Sequence, residues 1–379
     1  MLTSALYVHV PFCRALCAYC DFARQVRVPA DVARYLAALD LEFARAARRL
    51  GERLAPRTVY VGGGTPTSLE SGELAQLLEL VARHADLSHV IEFTVEANPG
   101  TLAADTFAVL HRYRVNRISF GVQSFQPRLL GLLGRIHSAE QAHRAVREAR
   151  DAGFENVSID LMHGLPTETR AELAGDLAAA IDAAPAHISA YGLSYEEGTP
   201  LAERVRRGDL RRLEPEEEAA QYRLVMERLE SAGYRQYEIS NYARKRYEAR
   251  HNLVYWHNGA YLGVGPSAAS YIDGERRVNR RRLDDWAGAL ERNADPVESR
   301  ERLEGERRAR EALMLALRLR EGASSQVFIE RYRFDIDSAC AEPLRRFEAQ
   351  KLMERTADGR WRITRAGLPV ADAILCQLI

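Results

Sequence analysis

The sequence predicts an α/β fold: a partial (β/α)6 TIM-like barrel with a C-terminal extension and a small winged-helix-like α+β module. Three observations predict it. Short β-branched runs alternate with amphipathic helical stretches over the first two-thirds of the chain, several strands end in glycine-rich or polar turns, and the pattern changes after Tyr234. Because neighbouring parallel strands need a crossover helix, the alternation indicates a parallel sheet. Six units also fit a doubly wound sheet, which is the alternative architecture.

The elements of the barrel follow the chain in six pairs. Strands are predicted at 6–10, 58–61, 91–96, 117–122, 157–162 and 187–194. Helices are predicted at 31–50, 73–83, 103–113, 139–151, 170–182 and 215–231.

The remainder of the chain divides into two regions. The predicted domains are the barrel at 1–233, a connecting segment without long helical periodicity at 234–300, and the winged-helix-like module at 301–379. The charged stretch at 300–310 is predicted to begin a helix, and Asp358-Gly359 to form a tight hairpin.

Composition restricts the function classes. The chain has 379 residues, of which 46% are hydrophobic, so it buries a sizeable core and general disorder is excluded. Lys+Arg and Asp+Glu both number 53, and this balance disfavours a protein whose main task is to bind nucleic acid. Neither a signal peptide nor an apolar run of about 18 residues is present, which predicts a cytoplasmic protein with no transmembrane segment.

Three of the five cysteines fall in one short loop. Cys13, Cys17 and Cys20 have the spacing C-x3-C-x2-C directly after the first predicted strand. Such clustering favours metal binding over disulfides. Three thiolates can bind three irons of a [4Fe–4S] cluster and leave the fourth iron open. A zinc site completed by His9 is the alternative.

The ordered motifs resemble a known superfamily. They are the cysteine run at 7–22, GGGTP at 62–66, EANP at 96–99, SFGVQS at 119–124 and DLMHGLP at 160–166. Together they resemble the radical S-adenosylmethionine (SAM) superfamily. More narrowly, they resemble the oxygen-independent coproporphyrinogen III oxidase (HemN) group and its HemW haem-chaperone branch.

The resemblance implies a SAM-ligated cluster and a set of SAM contacts. The implied contacts are Tyr7, Tyr19, Gly63, Gly64, Thr65, Glu96, Gln123, Arg135 and Asp160. Glycine backbone admits a ligand closely, and carboxylates accept hydrogen bonds from ribose hydroxyls or an ammonium group. In HemN-type relatives the positions of Gln123, Arg135 and Asp160 match contacts to a second SAM. For Arg135 a plain surface charge is the alternative.

Two features separate this chain from the oxidases. Phe22 occupies the place where HemN oxidases carry a further cysteine, and His251 opens the sequence HNLVYW, which matches a haem-associated HemW motif. A neutral imidazole suits haem iron, and Tyr255 and Trp256 offer flat apolar surface. A loop histidine bonded to backbone is the alternative for His251. His257 lies just outside the motif.

The resemblance therefore implies a haem chaperone. Its partners would be haem and apo-haemoproteins, including respiratory enzymes reached by transient contact with a membrane, and no catalytic residue is assigned. The first rival function is coproporphyrinogen III oxidase. The second is nucleic-acid binding through the winged-helix-like module, which the acidic residues Asp335, Asp337, Glu342 and Glu348 disfavour.

Overall fold

The structure is a computed structural model that describes residues 4–51 and 53–378. The strands are β1 (Ala5–Val10), β2 (Phe12–Cys13), β3 (Gln25–Val26), β4 (Thr58–Gly63), β5 (Glu92–Ala97), β6 (Arg117–Gln123), β7 (Asn156–His163), β8 (His187–Gly192), β9 (Arg235–Gln236), β10 (Asn241–Ala243), β11 (Tyr261–Val264), β12 (Ala269–Ile272), β13 (Glu275–Asn279), β14 (Val297–Arg302), β15 (Ala323–Ser324), β16 (Met353–Arg355) and β17 (Arg360–Ile363).

The helices surround the barrel strands and build the C-terminal module. They are α1 (Pro29–Leu50), α2 (Ser71–His84), α3 (Ala104–Arg112), α4 (Pro127–Leu133), α5 (Ala139–Asp151), α6 (Arg170–Asp182), α7 (Pro200–Arg206), α8 (Pro215–Ser231), α9 (Arg250–Trp256), α10 (Leu283–Glu291), α11 (Gly305–Leu317), α12 (Ser325–Tyr332), α13 (Ile336–Ala339), α14 (Ala341–Ala349) and α15 (Ala371–Leu375). Short 3-10 turns occupy Pro66–Ser68 and Leu368–Val370.

One large sheet carries the barrel. Its strand order is β14-β13-β12-β11-β1-β4-β5-β6-β7-β8-β10-β9, and every pair from β11 to β8 is parallel. The six predicted barrel strands lie side by side in their chain order, whereas a doubly wound sheet reverses its order at a switch point. The predicted partial barrel is therefore confirmed.

Alternation along the strands gives the barrel two different faces. Residues that point outward to the helices are apolar and buried: Val59, Val61, Phe93, Val95, Ile118, Phe120 and Val122. Residues of the opposite parity point inward and are mostly polar: Tyr60, Thr94, Glu96, Arg117, Ser119, Ser158 and Asp160. TIM barrels are usually filled by branched apolar side chains. A polar interior instead makes this barrel a chamber.

Local signals explain why the barrel helices begin where they do. Ser138 and Gln141 form a capping box at the start of α5, and Thr169 and Glu172 form another at α6. Proline occupies the first turn of α8, where its missing N–H costs nothing. The predicted bounds of these three helices are confirmed.

The region after α8 differs from its prediction. It contributes β9 to β14 to the large sheet, and the HNLVYW sequence forms the short helix α9. The charged stretch predicted to begin a helix at 300 instead ends the edge strand β14, and α11 begins at Gly305. Charged residues follow one another at 275–277 and 300–302, so both faces of this hairpin are charged and no hydrophobic period marks it. Across the hairpin, Arg276 pairs with Glu301 at 3.0 Å.

In the C-terminal module, α11, α12 and α14 pack against the small sheet β15-β17-β16, and α13 contacts α12 and α14. Gly359 adopts φ +78° in the turn between β16 and β17, as the predicted hairpin requires. Among the helices described here, none has both the length and the apolar character needed to cross a membrane. The domain boundaries after 233 and 300 remain predictions.

Candidate functional site

A cavity of about 420 Å³ runs from the cysteine loop down into the barrel. The predicted site residues that line it are Cys13, Cys17, Tyr19, Cys20, Gly63, Gly64, Thr65, Glu96, Gln123, Arg135 and Asp160. They come from six separate loops and strands, and the parallel sheet brings them together because the carboxyl ends of its strands meet at one edge. Two predicted residues, Tyr7 and His251, do not line the cavity.

The three clustered cysteines are free thiols that face this cavity. Burial raises the pKa of Cys13 to about 11, and the Thr65 hydroxyl lies 3.8 Å from its Sγ. Arg135 Nη1 donates to Cys17 Sγ at 3.3 Å. Arg24 Nη2 donates to the carbonyl oxygen of Cys17 at 2.9 Å and to that of Cys20. These guanidinium groups suit a loop that carries several thiolates.

The donor set fits an iron–sulfur cluster better than zinc. Cys13, Cys17 and Cys20 all line the one cavity, which leaves room for a ligand larger than a single ion. His9, which the zinc alternative needs, is buried, with Nε2 bonded to the Ala23 carbonyl at 2.8 Å and Nδ1 to Tyr7 at 3.1 Å. Cys13, Cys17 and Cys20 would hold a [4Fe–4S] cluster, which supplies an open iron for a chelating ligand.

Gly63 and Gly64 line the cavity, and they are also required by the packing around them. Gly63 has φ +109°, and a Cβ there would lie 2.6 Å from the His9 ring. A Cβ on Gly64 would lie 2.6 Å from the Phe12 carbonyl oxygen. The sequence suggested that these glycines admit a ligand closely. In the structure, a side chain added at Gly63 or Gly64 would collide with the protein's own residues before it met a ligand.

Two carboxylates stand inside the chamber. Tyr60 donates to Glu96 Oε1 at 2.6 Å, and the Gly63 amide donates to Oε2 at 3.0 Å. Burial, reinforced by the nearby charge of Asp160, raises the pKa of Glu96 to about 7. Asp160 accepts from Ser119 Oγ at 3.2 Å, and burial raises its pKa as well. The pair suits hydroxyl or ammonium groups of a ligand.

Gln123 and Arg135 stand near the mouth of the cavity. Gln123 adopts φ +69° where the β6–β7 register shifts, which turns its side chain at the strand end. Arg135 Nη2 donates to Asn98 Oδ1 at 2.6 Å and to the Gly121 carbonyl. Arg135 is therefore a bonded, half-buried group and not a free surface charge.

The two predicted residues that do not line the cavity lie nearby. Tyr7 lies in the wall of the barrel, and His251 lies beneath its floor. The Tyr7 ring packs between His9 and Tyr60, outside the cavity lining. His251 is 1% exposed, and its Nδ1 and Nε2 are bonded to Thr58 Oγ1 at 2.9 Å and Tyr255 Oη at 2.7 Å. It is therefore a helical histidine bonded to side chains, not the loop histidine bonded to backbone that was the alternative.

Helix α9 closes the floor of the chamber. Glu92, at the start of β5, accepts from the backbone amides of Arg250 at 2.9 Å and His251 at 2.8 Å. A carboxylate at a helix N-terminus satisfies free N–H groups and is favoured by the helix dipole. Asn252, the second residue of the HNLVYW motif, faces the cavity. The HNLVYW motif and the cysteine loop thus bound opposite ends of one chamber.

Sequence reasoning missed several residues that line the chamber. They are Arg24, Tyr60, Arg117, His187, Ser189 and Tyr191. Ser119 and Asn252 also line it and lie in motifs that the sequence singled out, but neither was assigned a role. A usable signal existed, because polar residues at every second position of otherwise apolar strands mark an inward face.

One exposed aromatic side chain lines the mouth of the chamber. Phe22 is 64% exposed and lines the cavity, as does Cys20. Leu16 and Ile136 are also exposed, but they do not line this cavity.

The class of protein follows from two family matches. Residues 7–180 match the Radical SAM superfamily, and residues 303–370 match the HemN C-terminal domain. The cysteine loop above a parallel barrel agrees with this, and the class implies a [4Fe–4S] cluster and SAM.

Relatives that match over most of their length identify the family. The chain is 37% identical to heme chaperone HemW of Bacillus subtilis over 87% of both chains. It is 37% identical to HemW of Mycobacterium tuberculosis H37Rv over 99% of this chain and 94% of that one. It is 35% identical to HemW of Escherichia coli K12 over 98% and 97%. The chain belongs to the HemW family.

A solved structure confirms the fold. Coproporphyrinogen III oxidase (HemN) from Escherichia coli matches with a TM-score of 0.85 and 21% identity, over all of this chain and 90% of that one. The likeness establishes the α/β partial barrel with its C-terminal module.

Proposed function

We propose that this protein is a haem chaperone: it binds haem beside a SAM-ligated [4Fe–4S] cluster and passes the haem to apo-haemoproteins. The observation that carries the proposal is the 35–37% identity, over most of the chain, to proteins named heme chaperone HemW. We place the exchange in the cytoplasm, with respiratory apo-haemoproteins as acceptors reached through transient contact with a membrane.

The cofactor roles follow the geometry of the chamber. Cys13, Cys17 and Cys20 hold the cluster at the mouth, and Glu96 and Asp160 accept hydrogen bonds from SAM within the barrel. Gly63, Gly64 and Thr65 line the same side of the cavity as the cysteines. Gln123 and Arg135 complete the rim, where a second SAM would also sit.

Phe22 supports the chaperone over the oxidase. It stands where HemN oxidases carry a further cysteine, and it presents a large exposed ring at the mouth of the chamber. An aromatic face there favours a flat apolar guest. The same position supplies no thiol beside the cluster for oxidase chemistry.

His251 is our proposed haem contact, and the structure defines what that contact requires. Both ring nitrogens are bonded, so coordination of iron needs the Thr58 or Tyr255 hydrogen bond to break. Burial lowers the pKa of His251 to about 3, so the imidazole is already neutral, as a haem ligand must be. A local opening of α9 is therefore part of the proposal.

The test combines haem binding and haem transfer. Reconstituted protein should give a saturable Soret change with haem, transfer haem to an apo-haemoprotein, and leave coproporphyrinogen III unchanged. His251→Ala should weaken haem binding at least tenfold with the cluster intact. Thr58→Val is the matched control, because it removes the same hydrogen bond and keeps the imidazole.

Three results contradict parts of the proposal. Decarboxylation of coproporphyrinogen III by the wild type would favour the oxidase. A wild type without a Soret change would remove the haem function. Equal losses in His251→Ala and Thr58→Val would make His251 a structural residue and move the iron contact elsewhere, with His257, whose side chain is 54% exposed, as the next variant to test.

A further inference from the structure

The lower half of the chamber contains a buried cation that the proposed cofactors do not use. Arg117 opens β6, is 2% exposed, and lines the cavity next to Asn252 on the floor. Its Nη1 donates to Asn156 Oδ1 at 2.9 Å and, more weakly, to the Tyr247 carbonyl at 3.4 Å. Its Nε is buried with no hydrogen-bond partner. Burying a guanidinium without compensation is costly.

The carboxylates around Arg117 are already engaged by other groups. Glu92 accepts two amides of α9, Glu96 accepts from Tyr60 and Gly63, and Asp160 accepts from Ser119. Within residues 4–51 and 53–378, Arg117 forms no salt bridge, although arginines elsewhere in that range form many. The Arg117 charge lowers the pKa of Asp160 against the larger effect of burial, but no described carboxylate forms a salt bridge with the guanidinium.

A second unpartnered polar group lies in the same row of the barrel. Thr94 of β5 is the register partner of Arg117 and is 0% exposed. Its hydroxyl has no hydrogen-bond partner. Buried polar groups are normally hydrogen-bonded, so two unpartnered groups on adjacent strands show that this level of the barrel is short of acceptors. Arg117 lines the cavity and Thr94 does not, so only Arg117 is placed to receive an acceptor from a ligand.

We propose that the lower chamber binds a carboxylate group at Arg117. Neither Nε nor Nη2 of Arg117 has an acceptor in the described part of the chain. Nε is buried, so a turn of the side chain toward the cavity would present this edge to a carboxylate for two parallel hydrogen bonds. The planar fork of a guanidinium matches the flat, two-oxygen edge of a carboxylate, so Arg117 is a ligand-binding residue for such an anion.

Two sources could supply this carboxylate. One is a propionate arm of the haem cargo, which rests on the proposed function, and the other is a free small acid. The cavity is continuous from Cys17 and Phe22 at the mouth to Arg117 at the floor, so either source enters by the same route.

The test uses sodium propionate, which has the chemistry of both sources. In saturation-transfer NMR on the reconstituted full chain, propionate should give a saturable signal. Arg117→Met should weaken its affinity at least tenfold, and Arg112→Met, on the exposed face of α3, should leave it unchanged. A folded Arg117→Met protein with wild-type affinity, or a wild type without saturable binding, overturns the proposal.

A further variant keeps the test decisive if Arg117→Met does not fold. Arg117→Lys retains the charge but loses the planar, forked guanidinium. It should weaken propionate binding several-fold, and unchanged affinity in this variant also overturns the site.

Haem and its dimethyl ester distinguish the two sources. If the haem arm is the ligand, Arg117→Met weakens haem binding and spares the ester. If a free acid is the ligand, haem and ester bind that variant as they bind the wild type. Haem binding without propionate binding removes this site and leaves the chaperone standing. Propionate binding without haem binding keeps this site and removes the haem-chaperone function.

Discussion

Individual side chains in the chamber are set by what their neighbours can donate or accept. Glu96 is held by one tyrosine and one amide, whereas Arg117 and Thr94 keep free donors. A buried polar group whose hydrogen bonds are all made within the protein is held in place by them. A buried polar group without a partner indicates where a ligand can bind. The predictions at this scale concern the cysteine loop and Glu96.

Cys17→Ala should abolish the cluster. The thiol is one of three ligands on one loop, and loss of a ligand leaves too few thiolates to hold a [4Fe–4S] cube. Iron and sulfide content and the visible absorbance of the reconstituted protein should fall to background. Cys376→Ala is the control, since that cysteine is exposed in the last helix region. Unchanged iron in Cys17→Ala, or iron loss in Cys376→Ala, would contradict the assignment.

Glu96→Gln should weaken SAM binding by about tenfold, the effect of one hydrogen bond to a charged group. Calorimetry on the cluster-loaded protein measures it. Tyr60→Phe is the matched control because it removes the 2.6 Å hydrogen bond to Glu96 and keeps the carboxylate. Gly63→Val is a poor test, because its Cβ would strike the His9 ring. SAM affinity equal to wild type in Glu96→Gln would exclude this carboxylate from the site.

At the scale of elements, buried carboxylates join parts of the fold that are distant in sequence. Glu92 connects β5 to α9, which closes the barrel floor. Glu42 of α1 accepts from the Gly265 amide at 2.7 Å, Asn279 Nδ2 at 2.6 Å and Trp286 Nε1 at 3.1 Å. It thereby ties the barrel to the β-extension and α10.

Glu42 should make stability depend on pH. Burial raises its pKa from 4.5 to about 7, so the folded protein retains a proton that the unfolded chain loses between these values. The free energy of unfolding should therefore fall as pH rises from 4.5 to 7, by up to about 3 kcal/mol from this group.

Urea unfolding of wild type and Glu42→Gln at several pH values measures this effect. In Glu42→Gln, the free energy of unfolding should lack the part of its pH dependence that comes from Glu42. The difference in this free energy between wild type and variant should therefore shift in favour of the variant as pH rises from 4.5 to 7. Glu298→Gln, on the exposed edge strand β14, is the control and should follow the wild type. Parallel stability curves for wild type and Glu42→Gln would contradict the role of this carboxyl group.

For the whole molecule, one apolar core links the barrel and the C-terminal module. Leu6 and Val8 of β1 belong to the same buried cluster as Leu313 of α11 and Trp361 of β17. The Arg320 amide also donates to the Tyr237 carbonyl at 2.9 Å across this junction. A shared core predicts that the two parts unfold together.

The cluster-free protein should therefore unfold in a single transition. Far-UV circular dichroism reports mainly the barrel helices, while fluorescence of Trp361 reports the module, and the two midpoints should coincide. A Trp361→Phe variant identifies that residue's share of the fluorescence. Two separated transitions would show that the module folds independently.

The barrel was predictable because its signals are local and repetitive. Helix caps at Ser138 and Thr169, apolar alternation in the strands and the C-x3-C-x2-C spacing each lie within a few residues. They determined the bounds of α5, α6 and α8 and the grouping of the cysteine loop with the strand-end residues.

Only the tertiary structure decided the rest, because it depends on contacts between distant residues. Nothing near His251 in sequence reveals that Thr58, 193 positions away, binds its ring, or that Glu92 begins its helix. The charged hairpin of β13 and β14 carries no hydrophobic period. Its strands are therefore recognised only from their pairing in the folded chain, where Arg276 lies opposite Glu301. The missing hydrogen-bond partner of Arg117 Nε is likewise a property of the closed barrel, since every element around the side chain decides whether a partner is present.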